Sequence, residues 1–405
     1  MRCADAIGPP LGIHVMVDFA VYVSRQVIKI FFNIIFAIAY FIPKKNNLIL
    51  FGAWFGKKYS DNPKYIFEYA LSQPSTEVFW VSKDKKLVSE LVSKGCPAVF
   101  SLSLAGVWLQ LRAKVIVFSH SHWSEFTPWL ISTHTKRVQV WHGAPLKKIG
   151  LDDIYSRKNR ARSFIKTIIY PYLRERFDLV LATGNMDSDI FRSAFNVGLE
   201  KIDITGYARN DVFSLLSSAL SAKPKNILYL PTFRGAPGSV SRLFERPYFD
   251  GDAVNKALSV YGAKISIKLH PAQALSPAFK AKVLQWENIQ LIGMDKDIYS
   301  VINDYDALVT DYSSVYFDYL LSGYPIYMLS VDLDEYLATD RKMYYRYSDI
   351  IPSAPMVSWP DLINYIYLND YPRKRHIELL GKVHKFVDRN SAQRSYESIL
   401  KNLIN

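Results

Sequence analysis

Two α/β halves, each a parallel sheet covered by helices on both faces, are what this 405-residue sequence predicts. Three observations carry the expectation. Short apolar runs alternate with helix-patterned stretches, the alternation starts over after a polar stretch near residues 221–225, and the length exceeds what one ordinary core fills.

In the first half, apolar runs at 48–51, 78–81, 115–118, 138–141, 179–182 and 202–205 read as strands, with helical stretches at 64–71, 85–93 and 102–111 between them. Asn62 followed by Pro63 is a helix start: a capping side chain, then a proline where no amide donor is needed. In the second half the strands are 227–230, 265–269, 289–292, 307–310 and 326–329, and the helices 253–260, 277–286 and 314–321. The tail from Arg375 onward is helical and packs back across the halves. The expected division is 1–45 for an N-terminal segment, 46–215 for the first domain and 216–405 for the second.

The N-terminal segment is apolar from 21 to 42, but Arg25, Lys29 and Asn33 recur at four-residue spacing and share one side of a helix. A membrane-spanning helix needs about 20 mostly uncharged residues, and no small-residue cleavage pattern marks a signal peptide. The pattern predicts an amphipathic helix lying in a membrane surface, its cations toward the head groups and reinforced by Lys44 and Lys45. The net charge of +13 favours anionic partners generally: nucleic acid, phosphorylated substrates or an acidic membrane face. Two cysteines, Cys3 and Cys96, without metal-type spacing, fit a reducing compartment and exclude a disulfide framework.

Ligands of open parallel sheets sit beyond the carboxyl ends of strands, and the chemistry-bearing segments lie there. His142, in Val140-Trp141-His142-Gly143-Ala144-Pro145-Leu146-Lys147-Lys148, follows a strand and precedes residues that break regular pairing, which suits a general base. Ser313 and Ser314 open a helix and offer hydroxyls to an anion. Lys268-Leu269-His270-Pro271, Pro231-Thr232-Phe233-Arg234 and Gly206–Asp211 add cations and donors at other strand ends. No Asp-x-Asp pair ends a strand after a nucleotide-type loop. Asp332-Leu333-Asp334 is assigned to a surface loop, so cationic side chains take the place of an essential metal and no cofactor is expected.

These segments, with Tyr59-Ser60-Asp61-Asn62-Pro63-Lys64, Phe317-Asp318-Tyr319 and the tyrosine-rich stretch Tyr344–Pro352, resemble the CDP-glycerol glycerophosphotransferases of teichoic-acid-type polymer synthesis over residues 47–400. The resemblance implies a GT-B arrangement: two Rossmann-like domains facing a central cleft, attached peripherally (monotopically) to the cytoplasmic face of the cell membrane. It implies transfer of a polyol phosphate, glycerol phosphate foremost, from a CDP-polyol (CDP-glycerol or CDP-ribitol) to a hydroxyl of a lipid-linked saccharide or polyol-phosphate acceptor. CMP is released, and the product is a teichoic-acid-type or capsular polymer; no nucleic-acid partner is implied. His142 would be the base. Gly143, Ala144, Pro145, Leu146, Arg209, Pro231, Thr232, Arg234, Lys268, Leu269, His270, Ser313, Ser314 and Asp318 would hold the donor, with Asp318 near its ribose or base. Ala144 departs from a pattern in which threonine is common. Two rival readings are a GT-B glycosyltransferase using a nucleotide sugar, which would release a nucleoside diphosphate, and a non-catalytic protein that grips lipid phosphates.

Overall fold

The structure, a computed structural model, describes residues 29–153, 160–213 and 223–404, apart from 237, 295 and 340–341. The first sheet contains β1 (Lys45–Phe51), β2 (Glu77–Ser82), β3 (Ala98–Phe100), β4 (Ala113–Phe118), β5 (Lys136–Gln139), β6 (Leu179–Ala182) and β7 (Ile202–Ile204). Their spatial order is β3-β2-β1-β4-β5-β6-β7. The central strand β1 runs parallel to both neighbours, Ile49 opposite Val78 on one side and Val115 on the other. Ile49, Phe51, Val115 and Val117 pack into one core cluster. Leu48, Leu50, Ile116 and Phe118 pack into another. Both faces are buried, which is why these strands read as unbroken apolar runs rather than alternating ones.

The second sheet contains β8 (Asn226–Leu230), β9 (Lys264–Ile267), β10 (Ile289–Leu291), β11 (Ala307–Thr310), β12 (Ile326–Leu329) and β13 (Pro355–Met356), ordered β10-β9-β8-β11-β12-β13. Its faces bury Leu228, Leu308 and Met328 on one side and Ile227, Val309 and Tyr327 on the other. The two sheets share one winding. In each, the first strand lies between the second and the fourth, so the loops leaving the first and fourth strands diverge and open a crevice. Those loops follow β1 and β4 in one domain, β8 and β11 in the other. The arrangement is GT-B-like, as expected.

Contacts between domains are made at several places. Lys148 N donates to Lys342 O at 2.8 Å and Tyr344 N to Leu146 O at 3.0 Å, so a strap from the second domain lies along the loop that follows His142. Helix Ser391–Leu403 leaves the second sheet altogether. Its Ala392, Tyr396 and Ile399 join the core around Ile49, and the Tyr396 hydroxyl bonds Ser75 and Thr76 at 2.9 Å each.

Local geometry corrects several expectations. Strand 138–141 stops at Gln139, because Trp141 adopts a left-handed φ of 49°. The helix expected at 64–71 begins at Asp61 with Ser60 in the capping position, and Asn62 has another task, described below. Asp332 is not a surface-loop residue: it is ion-paired with Arg234 at 2.6 Å just before helix Leu333–Thr339.

A helix spans residues 29–41 and leaves Ile30, Phe31, Ile34, Ile38 and Phe41 exposed. Its register differs from the expectation that its cations face lipid. Lys29 Nζ lies 5.2 Å from the Tyr170 ring centroid, and Asn33 donates to Ile169 O at 3.0 Å. Lys44 donates to Leu111 O, and Lys45 pairs with Glu77. Arg25 lies outside the described residues, as does the junction at 214–222. The contacts of Lys29 and Asn33 bring in a second helix, Arg160–Ile169, whose Phe164, Ile165 and Ile168 are also exposed. Among the described residues no helix is long and apolar enough to cross a membrane.

Candidate active site

The cleft is built from the loops that follow β1, β4 and β5 on one side and β8, β9 and β11 on the other. After β5 the chain makes a sharp reversal: Trp141 takes its left-handed φ, and Gly143 has φ 132°, a region closed to other L-residues. A Cβ at Gly143 would sit 2.8 Å from Arg209 Nη2 and 3.2 Å from Ser314 Oγ, so the histidine loop and the serine loop meet across the domains at this glycine. Asn62 pins the reversal. Its amide donates to Val140 O at 3.1 Å and Trp141 O at 3.0 Å, while its oxygen accepts from Arg209 N at 3.1 Å.

The reversal delivers His142 to the cleft, partly exposed. Its Nδ1 lies 3.1 Å from Ser119 O, a carbonyl that can only accept. Nδ1 therefore carries the proton, and Nε2 presents a lone pair. Burial, then the neighbouring His120 ring, pull the His142 pKa down to about 3, outweighing the opposite effect of Asp61, so the ring is neutral at physiological pH.

His270, exposed on the loop after β9, has the opposite tautomer. Its Nδ1 accepts from Ala272 N at 3.1 Å, which leaves an Nε2–H donor. Partial desolvation of the ring against the cleft wall, despite the residue's exposed edge, and then Lys58 and Lys147 lower its pKa, so it too is neutral. Trp54 bridges the two sides, 4.9 Å from the His120 ring and 6.2 Å from the His270 ring. Phe233 lies 5.5 Å from His270. The cleft thus offers one imidazole as acceptor and one as donor, with Lys58, Lys147 and Lys268 as nearby cations.

The remaining expected residues divide sharply. Ser313 and Ser314 are partly exposed. Ser314 occupies the capping position of helix Val315–Tyr319 without a side-chain cap bond, and Ser313 Oγ is a distant 3.4 Å from Val315 N. Lys268 is nearly buried and donates to Gly293 O at 2.6 Å. Thr232 gives its hydroxyl to Asp311 at 2.5 Å. Pro145 and Pro231 are buried, and Ala144, Leu146 and Leu269 have core side chains. Only their backbone can face a ligand, which removes the consequence of alanine in place of threonine at 144.

Arg209, Asp318 and Arg234, expected among the donor-binding residues, are engaged with other groups of the protein. Arg209 is 5 % exposed, and its guanidinium bonds Asp61 at 2.8 Å, His142 O at 3.0 Å and Asp318 at 2.5 Å. Asp318 is fully buried and also accepts from Asn210 at 3.1 Å and the Tyr299 hydroxyl at 2.6 Å. This node ties helix Asp61–Leu71 of the first domain to helix Val315–Tyr319 of the second, and within it Arg209 Nε and Asn210 Oδ1 make no hydrogen bond. Arg234 is held by Asp311 at 2.8 Å and by both oxygens of Asp332 at 2.6 and 2.8 Å. It welds the loops after β8, β11 and β12 together. Among the described residues no group of three His, Cys, Asp or Glu side chains could hold a metal ion.

Sequence reasoning passed over Trp54, Lys58 and His120, and it gave Asp61 and Asn62 a place in a family-like segment but no role in the site. For His120 the signal was present: it follows the apolar run of β4 as His142 follows that of β5.

Known proteins share this architecture and resemble the chain in sequence. A teichoic acid glycerol-phosphate transferase of Staphylococcus aureus is 28% identical over 383 residues, covering 89% of this chain and 94% of its own length. A teichoic acid poly(glycerol phosphate) polymerase of Bacillus subtilis is 28% identical over 351 residues, 80% of this chain but 44% of that protein. The wall teichoic acid polymerase TagF, in a structure soaked with CDPG, superposes with a TM-score of 0.72 at 24% identity, covering 96% of this chain and 98% of the other. The pattern that defines the CDP-glycerol:poly(glycerophosphate) glycerophosphotransferases matches residues 34–401, and the chain belongs to that family of transferases.

Proposed function

We propose that this transferase moves glycerol phosphate from CDP-glycerol to a hydroxyl of a lipid-linked acceptor at a membrane surface, with His142 as general base. The observation that carries the reading is the locked tautomer of His142: Nδ1–H on Ser119 O, Nε2 free and neutral in the cleft. Family membership supplies the donor.

In the reaction the acceptor oxygen attacks the phosphorus that bears glycerol while its proton passes to His142 Nε2. A new P–O bond forms, the bond from that phosphorus to the bridging oxygen breaks, and CMP leaves with the electron pair. Negative charge grows on the CMP phosphate. His270 Nε2–H, the Ser313 and Ser314 hydroxyls and Lys58, Lys147 and Lys268 are the groups that offset it. The imidazolium formed on His142 is stabilised by the nearby Asp61, whose carboxyl Arg209 holds below the usual range against the opposing effect of burial. Charge neutralisation by side chains makes an essential metal unnecessary in this reading, so activity survives EDTA.

Attachment is peripheral. The exposed apolar residues of helix 29–41, joined by Phe164, Ile165 and Ile168, provide the insertion face. The basic surplus of the chain favours an anionic lipid surface, the cytoplasmic face of the cell membrane. The decisive experiment is CMP release from CDP-glycerol and CDP-ribitol with a lipid-linked acceptor. Turnover of CDP-glycerol alone is the expected result. Release of a nucleoside diphosphate from a nucleotide sugar instead would replace this reading with a glycosyltransferase.

A further inference from the structure

Beyond β4 the chain turns through Ser119 and His120 into the short helix His122–Glu125. The fully buried Glu125 side chain folds back under the turn and accepts from Ser119 N at 3.1 Å, Ser119 Oγ at 3.0 Å and His120 N at 2.9 Å. His120 Nδ1 rests 2.9 Å from Ser119 Oγ and 3.3 Å from Glu125 Oε1. Burial pushes the Glu125 carboxyl up to about 8 and the His120 pKa down, so the ring is neutral at physiological pH.

The turn therefore makes two contacts with the base at once. Ser119 O fixes the Nδ1 proton of His142, and the His120 ring lies face to face on the His142 ring at 4.2 Å with 8° between planes. On its other sides His120 is packed by Trp54 and Phe55, each with its ring centroid 4.9 Å away, and its side chain is 17 % exposed. A single hydrogen bond at Nδ1 leaves an imidazole free to tilt about that bond. A flat ring clamped against its face removes the tilt. Trp54 and Phe55 hold the clamp in place at left-handed φ values of 48° and 60°, a backbone cost that aromatic residues meet only where surroundings enforce it.

We propose that His120 is a positioning residue for the transfer reaction, holding the His142 ring in the plane from which Nε2 faces the cleft. The inference rests on the reading of His142 as the base. Besides His142, the titratable groups around this turn are Asp61, Glu125, His270 and Lys83, which donates to Ser124 O at 2.5 Å, with Arg209 behind His142. None of them stacks on the base, and the Trp141 ring, also 4.2 Å from it, is tilted by 32°, so among these neighbours His120 is the ring that lies flat on His142.

The test measures CMP release from CDP-glycerol in His120→Ala, His120→Phe and His142→Ala. Misplacement of a reacting group by a fraction of an ångström to one ångström costs on the order of tenfold to a hundredfold. His120→Ala is expected to lose that much kcat with KM for CDP-glycerol changed less than about twofold. His120→Phe keeps a flat ring and is expected to recover most of the loss, which a merely structural histidine would not predict. The acid limb of kcat/KM should also move to higher pH in His120→Ala, because the burial that depresses the His142 pKa is reduced. Wild-type kcat in His120→Ala, or equal impairment in the Ala and Phe variants, overturns the positioning role. His142→Ala separates the two ideas. An inactive His142→Ala beside a fully active His120→Ala sinks this inference alone, whereas an active His142→Ala sinks the base assignment first.

Discussion

The mouth of the cleft and its floor are both lined with polar family segments, yet they are opposites in how their valences are used. At the mouth, His142 and His270 each spend one ring nitrogen on a backbone group and keep the other. At the floor, a few ångströms below Gly143, Arg209 and Asp318 spend their groups on Asp61, His142 O, Asn210 and Tyr299. A side chain with a partner left over can act on a substrate. One whose charge is already paired inside the protein serves first to hold the protein together. Under the proposed mechanism the division leaves chemistry to the histidines and domain registration to the arginine node.

The strongest way to break that comparison is at the base. His142→Ala should lower kcat by about a hundredfold to ten-thousandfold, the usual range for a lost general base, with melting temperature and CDP-glycerol affinity nearly unchanged. Retention of more than half the wild-type turnover in a CMP-release assay would return His142 to the structural class.

The floor should respond in the other currency. Asp318→Ala leaves Arg209 with Asp61 as its remaining carboxylate and strands the Asn210 and Tyr299 donors in the interior, and removing one partner of a buried ion pair typically costs about 3–5 kcal/mol. Urea unfolding followed by circular dichroism should show a loss of that order, with activity falling because the domains lose their register. A variant as stable as the wild type that had lost only CDP-glycerol affinity would mean that Asp318 faces the donor after all.

Much of this was legible in the sequence, and the parts that were not share a cause. Strands such as β1 and β11 are unbroken apolar runs because both sheet faces are buried, and their ends placed His142, His270 and Ser313 without help from tertiary detail. Whether a polar residue is free or saturated depends on partners far along the chain. Asp318 is 109 residues from Arg209, and Asp61 is 148. In sequence, Arg209 reads like any cation at a strand end. Asn62 misled for the same reason: its helix-start position is real, but its amide reaches the histidine loop 78 and 79 residues away. The amphipathic period at 29–41 was readable too, whereas the side facing the protein was set by Tyr170 and Ile169 on the second helix.

Ser313 and Ser314 sharpen the boundary between the two classes. Neither hydroxyl makes a close hydrogen bond that caps the helix, so both are counted with the mouth. Changing both to alanine should weaken CMP binding at least about tenfold by calorimetry, since one hydrogen bond to a charged group is worth about 1.5–3 kcal/mol. An unchanged CMP affinity, with only a lowered melting temperature, would move the pair to the floor.

The smallest expected effect is on the rate between pH 5 and 7, and it separates mouth from floor most cleanly. An ordinary histidine base with a pKa near 6.5 would be only a few per cent neutral at pH 5, so kcat/KM would fall roughly twentyfold or more. His142 is held down at about 3 by burial first and by the His120 ring second, so it stays neutral across that window. kcat/KM should therefore change less than about twofold wherever the protein is folded. Stability should behave differently. His142 and the buried His122, also lowered to about 3 by burial, bind protons more readily in the unfolded chain than in the native one. Below pH 6.5 the unfolded state gains protons that the native state refuses, so the contribution of these groups is complete above that pH and is lost progressively as pH falls toward 3. Acid should thus erode the urea midpoint while leaving the turnover of the folded enzyme almost flat. A steep acid limb near pH 6.5 in kcat/KM, with an unchanged urea midpoint, would place an ordinary solvated histidine at the reacting centre and undo the distinction on which the mechanism depends.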